Sequence, residues 1–184
     1  MPQYIAFLRG MNLGKRRIKM DALRAHFVDM GFDDVATFIA SGNVLFTAGS
    51  RAEKKLVSQI EEHLRRALGY DVPTYLRTRA EVAGVLAFRP FPVREMESEE
   101  NTIHVGFWQT APSAADARAL TAIRTKTDEF AVNGREFYWL CRIPTHESKV
   151  WSLPEMKALT LPDVTARNIS MLRRLAAQFP SEKV

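Results

Sequence analysis

The spacing of apolar residues in the first 78 positions constrains the fold most strongly, because it alternates between strand-like runs and helical stripes. Met20, Leu23, Phe27 and Met30 recur at three- and four-residue steps, which places them on one face of a helix. A second stripe has the same spacing, and short runs rich in β-branched and aromatic residues flank both stripes. The second stripe consists of Leu56, Ile60, Leu64 and Leu68.

The strand-like runs give the order in which the elements follow one another. They cover residues 3–8, 35–40, 43–48 and 72–77. Together with the two stripes they predict the order strand, helix, strand, strand, helix, strand. This order is typical of the split βαβ arrangement of ferredoxin-like domains, an α/β plait in which two helices cover one face of a four-stranded antiparallel sheet. We therefore predict an α+β fold for residues 1–78.

Residues 79–184 are predicted to form a second α+β, plait-like subdomain. Thr78 and Glu81 are spaced as a capping box, and Asn133-Gly134 is a strong signal for a tight hairpin between two strand-like runs. Thr165 is predicted to cap the last helix. The apolar face of that helix would consist of Ile169, Leu172, Leu175 and Phe179.

The positive charge of the chain is concentrated in one loop after the first strand. Six basic residues and one acidic residue lie between positions 9 and 24, a surplus of +5 that equals the net charge of the whole chain. Any attraction for an anion should therefore be local to this loop. The basic residues are Arg9, Lys15, Arg16, Arg17, Lys19 and Arg24, and the acidic residue is Asp21.

Several classes of site are disfavoured by residue usage. The chain has one cysteine and four scattered histidines, so neither a disulfide framework nor a metal site is predicted, and no cofactor is expected. It has no basic leader and no apolar run long enough to cross a membrane, which takes about 18–20 residues. We expect a cytoplasmic protein with no membrane partner.

The glycines at positions 10 and 14 suggest a backbone anion site rather than a P-loop. A P-loop has four residues between its glycines and Ser or Thr after its lysine, whereas three residues separate Gly10 from Gly14 and Arg16 follows Lys15. Glycines still allow backbone N–H groups to approach an anion. The candidate ligand-binding residues are Arg9, Gly10, Asn12, Gly14, Lys15, Lys19 and Arg167.

Two polar segments have structural and functional interpretations that stay open. Ser41, Gly42 and Asn43 suit a tight turn, which we expect at the sheet end opposite the exit of the first strand, away from the basic loop. If Thr165 is the cap, Arg167 and Asn168 lie in the first turn of the last helix. Arg167 there would bind a carboxylate or an anion.

Three segments carry a resemblance to a known family. They are Leu8-Arg9-Gly10-Met11-Asn12-Leu13-Gly14, Ser41-Gly42-Asn43-Val44-Leu45-Phe46 and Thr165-Ala166-Arg167-Asn168. Together they resemble the mostly bacterial family named domain of unknown function 1697. The resemblance spans nearly the whole chain and implies two α/β plait subdomains. It implies no activity, cofactor or catalytic residue.

Three functions remain in competition, and no reaction can be assigned from the sequence. The first is binding of a small phosphorylated or anionic ligand by the basic loop, with Arg167 across an interdomain cleft. The second, less favoured, is nucleic-acid binding, with Phe46 and Tyr4 or Phe7 as stacking aromatics. The segment 41–46 has one aromatic where an RNA-recognition strand has about three. The third is a scaffold domain without a ligand.

Overall fold

The computed structural model describes residues 1–11, 13–14, 16–39, 42–49 and 52–178. The chain divides into two compact units, Met1–Val82 and Ala83–Val184. Each unit contains one four-stranded antiparallel sheet, and the predicted α+β class with two α/β plaits is confirmed. No helix in the described part of the chain is long and apolar enough to cross a bilayer.

The first unit has the predicted order of elements. Its strands lie in the spatial order β2-β3-β1-β4, so β1 pairs antiparallel with both β3 and β4. Gly31 and Gly69 adopt positive φ at the ends of the two long helices, as expected of helix-terminating glycines. Its elements are β1 Gln3–Leu8, α1 Met20–Asp29, β2 Asp33–Phe38, β3 Asn43–Thr47, α2 Glu53–Leu68 and β4 Thr74–Thr78. The next helix, α3 Arg79–Ala87, contains the boundary between the two units.

The core of the first unit lies between its sheet and the helices α1 and α2. Alternate residues of β1 face it, since Tyr4, Ala6 and Leu8 are buried in one cluster with residues of both helices. The intervening residues Ile5 and Phe7 are also fully buried, so β1 is covered on both faces. The helical residues of the core are Leu23, Phe27, Leu56, Ile60 and Leu64.

The second unit repeats the topology of the first. Its strands lie in the order β6-β7-β5-β8, and β5 pairs antiparallel with β7 and β8. The Asn133-Gly134 hairpin lies where it was predicted. The elements are α4 Val93–Met96, β5 Thr102–Trp108, α5 Ala114–Ala122, β6 Asp128–Asn133, β7 Glu136–Cys141, the 3-10 turns η1 Thr145–Glu147 and η2 Val150–Ser152, α6 Pro154–Lys157, β8 Val164–Asn168 and α7 Ile169–Ala176.

The predicted start of the last helix is wrong. Thr165 lies in strand β8 opposite Phe107, and α7 begins at Ile169. Asn168 is the N-cap, because its side chain accepts a hydrogen bond from the Ser170 amide at 2.8 Å. Pairing with β5 satisfies the backbone groups of residues 164–168 that face that strand, which outweighs the local preference of threonine for a cap. Phe179 lies outside the described residues.

Strand register reveals a residue-level repeat that sequence inspection missed. Arg77 of β4 pairs with Ile5 of β1, and Arg167 of β8 pairs with Val105 of β5. The next residue in each unit caps a helix: Thr78 Oγ1 accepts a hydrogen bond from the Glu81 amide, and Asn168 caps α7. The Arg-Thr and Arg-Asn pairs are therefore equivalent positions in two copies of one plait.

The same alignment makes Gly106 of β5 the counterpart of Ala6 in β1. Ala6 faces Val44 in the β1–β3 ladder, whereas Gly106 faces Phe137 in the β5–β7 ladder. A Cβ added at Gly106 would overlap the Phe137 ring. The alanine–valine pair of the first unit is therefore replaced in the second unit by a glycine and a phenylalanine. The phenylalanine ring fills the space that the alanine methyl group would occupy.

We expect Gly106→Ala to lower the free energy of unfolding by at least about 1–3 kcal/mol, because the added methyl group overpacks the core. Gly84→Ala is the matched control, since Gly84 lies exposed in α3 and a Cβ there meets no atom within 4 Å. That variant should gain about 0.5–1 kcal/mol from helix propensity. Chemical denaturation measures both changes. Equal stabilities for the two variants would contradict the packing of Phe137 on Gly106.

Candidate anion-binding site

The basic loop leaves the first sheet beside two other connections of the same unit. The Leu8 amide donates a hydrogen bond to the Gly42 carbonyl at 2.8 Å, and the Arg9 amide donates to the Pro73 carbonyl at 2.9 Å. The exit of β1, the β2–β3 turn and the entry to β4 therefore lie at one end of the sheet. The β1–α1 loop, residues 9–19, starts from this end.

The prediction that the β2–β3 turn lies at the opposite end from this loop is wrong. Strand β3 runs antiparallel to β1 and starts at Asn43, opposite Phe7 near the end of β1. The turn that leads into β3 must then lie where β1 ends. Two of the three motifs thus meet in space, namely 8–14 and 41–46.

Gly42 is held in close contact with the start of the basic loop. Its φ is +72°, and a Cβ built there would lie 3.0 Å from Cγ of Met11 and 3.1 Å from Cβ of Leu8. Met11 is buried and belongs to the core of the first unit. Only glycine combines this backbone conformation with this approach, so Gly42 positions the turn against the loop.

The neighbouring turn residue carries backbone strain. Ile39 has φ +50°, a left-handed conformation that is unusual for a β-branched side chain, and it is exposed. Asn43 is fully buried, and its side-chain amide donates to the Phe38 carbonyl at 3.0 Å across the turn. Asn43 therefore has a structural role in closing the turn. Ser41 lies outside the described residues.

The two loop glycines have the backbone freedom that the anion hypothesis requires. Gly10 has φ +76° and Gly14 has φ +57°. A Cβ at Gly10 would lie 3.5 Å from Nη1 of Arg16, so the Arg16 side chain folds back toward the start of the loop. Its guanidinium carbon lies 4.2 Å from the centre of the Tyr70 ring, a cation–π contact that fixes this arrangement.

The basic residues of the loop region differ in what they contact. The Arg17 guanidinium donates to the Arg16 carbonyl at 2.8 Å, and Nε of Arg24 donates to the Val35 carbonyl at 2.8 Å. Arg24 therefore connects α1 to β2. Arg9 and Lys19 are exposed and stand at the two ends of the loop.

Lys19 occupies the N-cap position of α1 without a side-chain capping hydrogen bond. The first amides of a helix have no partner within the helix, and the helix dipole places partial positive charge at this end. Asp21 in the first turn offsets part of that charge. The loop thus brings cationic side chains to a helix end that already favours anions.

The remaining predicted site residues fall into two groups. Asn12 and Lys15 lie outside the described residues. Arg167 belongs to the second unit, where it lies in strand β8 and not in the first turn of a helix. The structure therefore corrects the helical argument for that residue.

Arg167 is held by its own strand. Its guanidinium donates hydrogen bonds to Thr165 Oγ1 and to the Ala166 carbonyl, both at 2.8 Å. Burial lowers the pKa of Arg167 to about 10, which leaves it cationic at neutral pH.

Among the described residues, no group of three or more His, Cys, Asp or Glu side chains is arranged to hold a metal ion.

Comparison with known proteins defines the family. Residues 1–138 match the family described as "Protein of unknown function (DUF1697)". The chain belongs to this family. The match includes the two motifs that meet at the end of the first sheet, while the segment Thr165–Asn168 follows the matched residues.

One solved structure shows the same fold over nearly the whole chain. It is the conserved bacterial protein SP0830 from Streptococcus pneumoniae, with a TM-score of 0.74 and 17% sequence identity. The alignment covers 96% of this chain and 97% of that protein. A search of curated proteins found no significant match. This DUF1697 protein therefore shares its architecture with a bacterial protein whose description assigns no activity.

We expect Gly42→Ala to destabilise the protein more than Gly69→Ala does. Both residues have positive φ, and an alanine in this conformation costs about 1–2 kcal/mol. Only Gly42 also meets Met11 and Leu8, whereas a Cβ at Gly69 meets nothing within 4 Å. The additional overpacking should cost about 1–3 kcal/mol. Denaturant titration of the two variants measures the difference, and equal losses would contradict the close contact.

Proposed function

We propose that this DUF1697 protein binds a small anionic or phosphorylated ligand at the β1–α1 loop. The observation that carries the proposal is the meeting of the motifs 8–14 and 41–46 through the Leu8–Gly42 hydrogen bond. A loop of residues 9–19 with five basic and no acidic residues begins at this junction and ends at the N-terminus of α1.

Three contributions to anion binding act together at this place. The loop has a charge of +5. At physiological ionic strength charges interact over about 8 Å, so several of these basic residues can act on one anion bound at the loop. The dipole of α1 adds roughly 0.3–1 kcal/mol for an anion at its first turn. The positive φ angles of Gly10 and Gly14 allow backbone N–H groups to turn toward a ligand.

The residues divide by role. Gly10 and Gly14 would present backbone amides, while Arg9 and Lys19 would supply charge from the two ends of the loop. Asn12 and Lys15 belong to the proposal as residues of the same loop. A contribution of Arg167 from the second unit stays a prediction.

Burial of the candidate stacking aromatics argues against the nucleic-acid alternative. Tyr4 and Phe46 stack on each other at 5.6 Å between ring centres within the helix-covered core, and Phe7 is fully buried. These rings are therefore not available to stack on bases.

The proposal also includes a cytoplasmic location. The chain has one cysteine and so cannot form an intrachain disulfide, a usage typical of proteins from reducing compartments.

We expect the double variant Arg9→Ala/Lys19→Ala to weaken the binding of inorganic pyrophosphate at least tenfold in calorimetric titrations at low salt. Lys54→Ala/Lys55→Ala is the matched control, because it removes the same charge from exposed positions in the first turns of α2. Helix α2 follows the far end of β3, and five residues of strand span about 17 Å. Those lysines therefore lie beyond a Debye length from the loop.

Salt dependence separates the two ligand classes. A single strand that contacts about four phosphates gives a slope of log K against log salt of roughly −3, whereas a ligand with one phosphate group should give a much shallower slope. Tight oligonucleotide binding with the steep slope would overturn the small-ligand proposal. Equal pyrophosphate affinity in the two double variants would show that the loop is not the site.

A further inference from the structure

Two of the four histidines of the chain face each other across the helices of the first unit. Nδ1 of His26 in α1 lies 3.3 Å from Nε2 of His63 in α2. The ring centres are 5.3 Å apart and the ring planes cross at 67°. Both side chains are half-buried, beside the apolar stripes that form the core.

The spacing of the two nitrogens matches that of two ligands on one metal ion. Zn–N bonds of about 2.0–2.1 Å at a tetrahedral angle place two ligand nitrogens about 3.3–3.4 Å apart. We propose that His26 and His63 form a two-histidine site for a divalent transition-metal ion, with Zn²⁺ as the ion that fits best. Water would occupy the remaining coordination positions, because the described residues supply no third ligand.

The two histidines can pass from a hydrogen-bonded pair to two metal ligands without losing a proton. In the hydrogen-bonded pair, one ring donates its N–H to the other. When the donating ring moves that proton to its second nitrogen and the two rings turn, both lone pairs can point at one ion beside the pair.

The electrostatic surroundings contain favourable and unfavourable groups. His26 lies in the last turn of α1, where the helix dipole favours a cation. Gln59 lies one turn before His63 and donates to the Met30 carbonyl at 3.1 Å, which ties this part of α2 to the same helix end. His63, but not His26, lines a groove of about 620 Å³. Charged residues along the groove are Asp29, Glu62, Lys54, Lys55 and Arg66.

A metal bound to both helices must stabilise the folded state. At tenfold excess over its dissociation constant, Zn²⁺ should raise the melting temperature of the untagged full-length protein by about 3–6 °C. Ni²⁺ should act in the same direction. Mg²⁺, which prefers oxygen ligands, should have no effect.

Variants and spectroscopy decide the assignment. His26→Gln and His63→Gln should each lower the calorimetric affinity for Zn²⁺ at least tenfold, while His146→Gln, an exposed histidine of the second unit, should leave it unchanged. Nitrogen-15 spectra of the wild-type imidazoles test the site even where a variant fails to fold, and Zn²⁺ should shift His26 Nδ1 and His63 Nε2. Unshifted nitrogens, or a Zn²⁺ affinity that neither variant lowers, would overturn the proposal.

Discussion

The antiparallel pairing of β1 with β3 is the constraint on which the arrangement of the first unit depends. It places the start of β3 beside the end of β1, where the Leu8 amide bonds to the Gly42 carbonyl. From this single junction follow the contact of Gly42 with Met11 and the position of the basic loop next to the β2–β3 turn. The proposed anion site is a consequence of strand direction as much as of charge.

The sequence predicts the fold well where local pattern and tertiary structure agree. The stripes of α1 and α2 and their terminating glycines lie where apolar spacing places them. It fails where pairing partners decide. Thr165 looks like a helix cap, yet residues 164–168 pair with β5. The location of the β2–β3 turn likewise follows from the direction of β3, which the composition of the turn does not indicate.

The candidate site could be predicted in outline only. The surplus of basic residues identifies the loop, but charge counts do not show that Arg16 lies over Tyr70 or that Arg24 bonds to β2. The histidine pair was missed for a similar reason, because residues 26 and 63 meet only when α1 and α2 pack together. The repeated arginines 77 and 167 became recognisable through strand register and not through sequence similarity.

Amide chemical shifts test most directly the claim that one end of the first sheet binds anions. In a titration of the isotope-labelled protein with pyrophosphate, the largest changes should occur at Gly10, Gly14, Gly42 and the first turn of α1. All these changes should saturate with one common dissociation constant. Changes confined to α2, or to strands β6 and β7, would contradict anion binding at this end of the sheet.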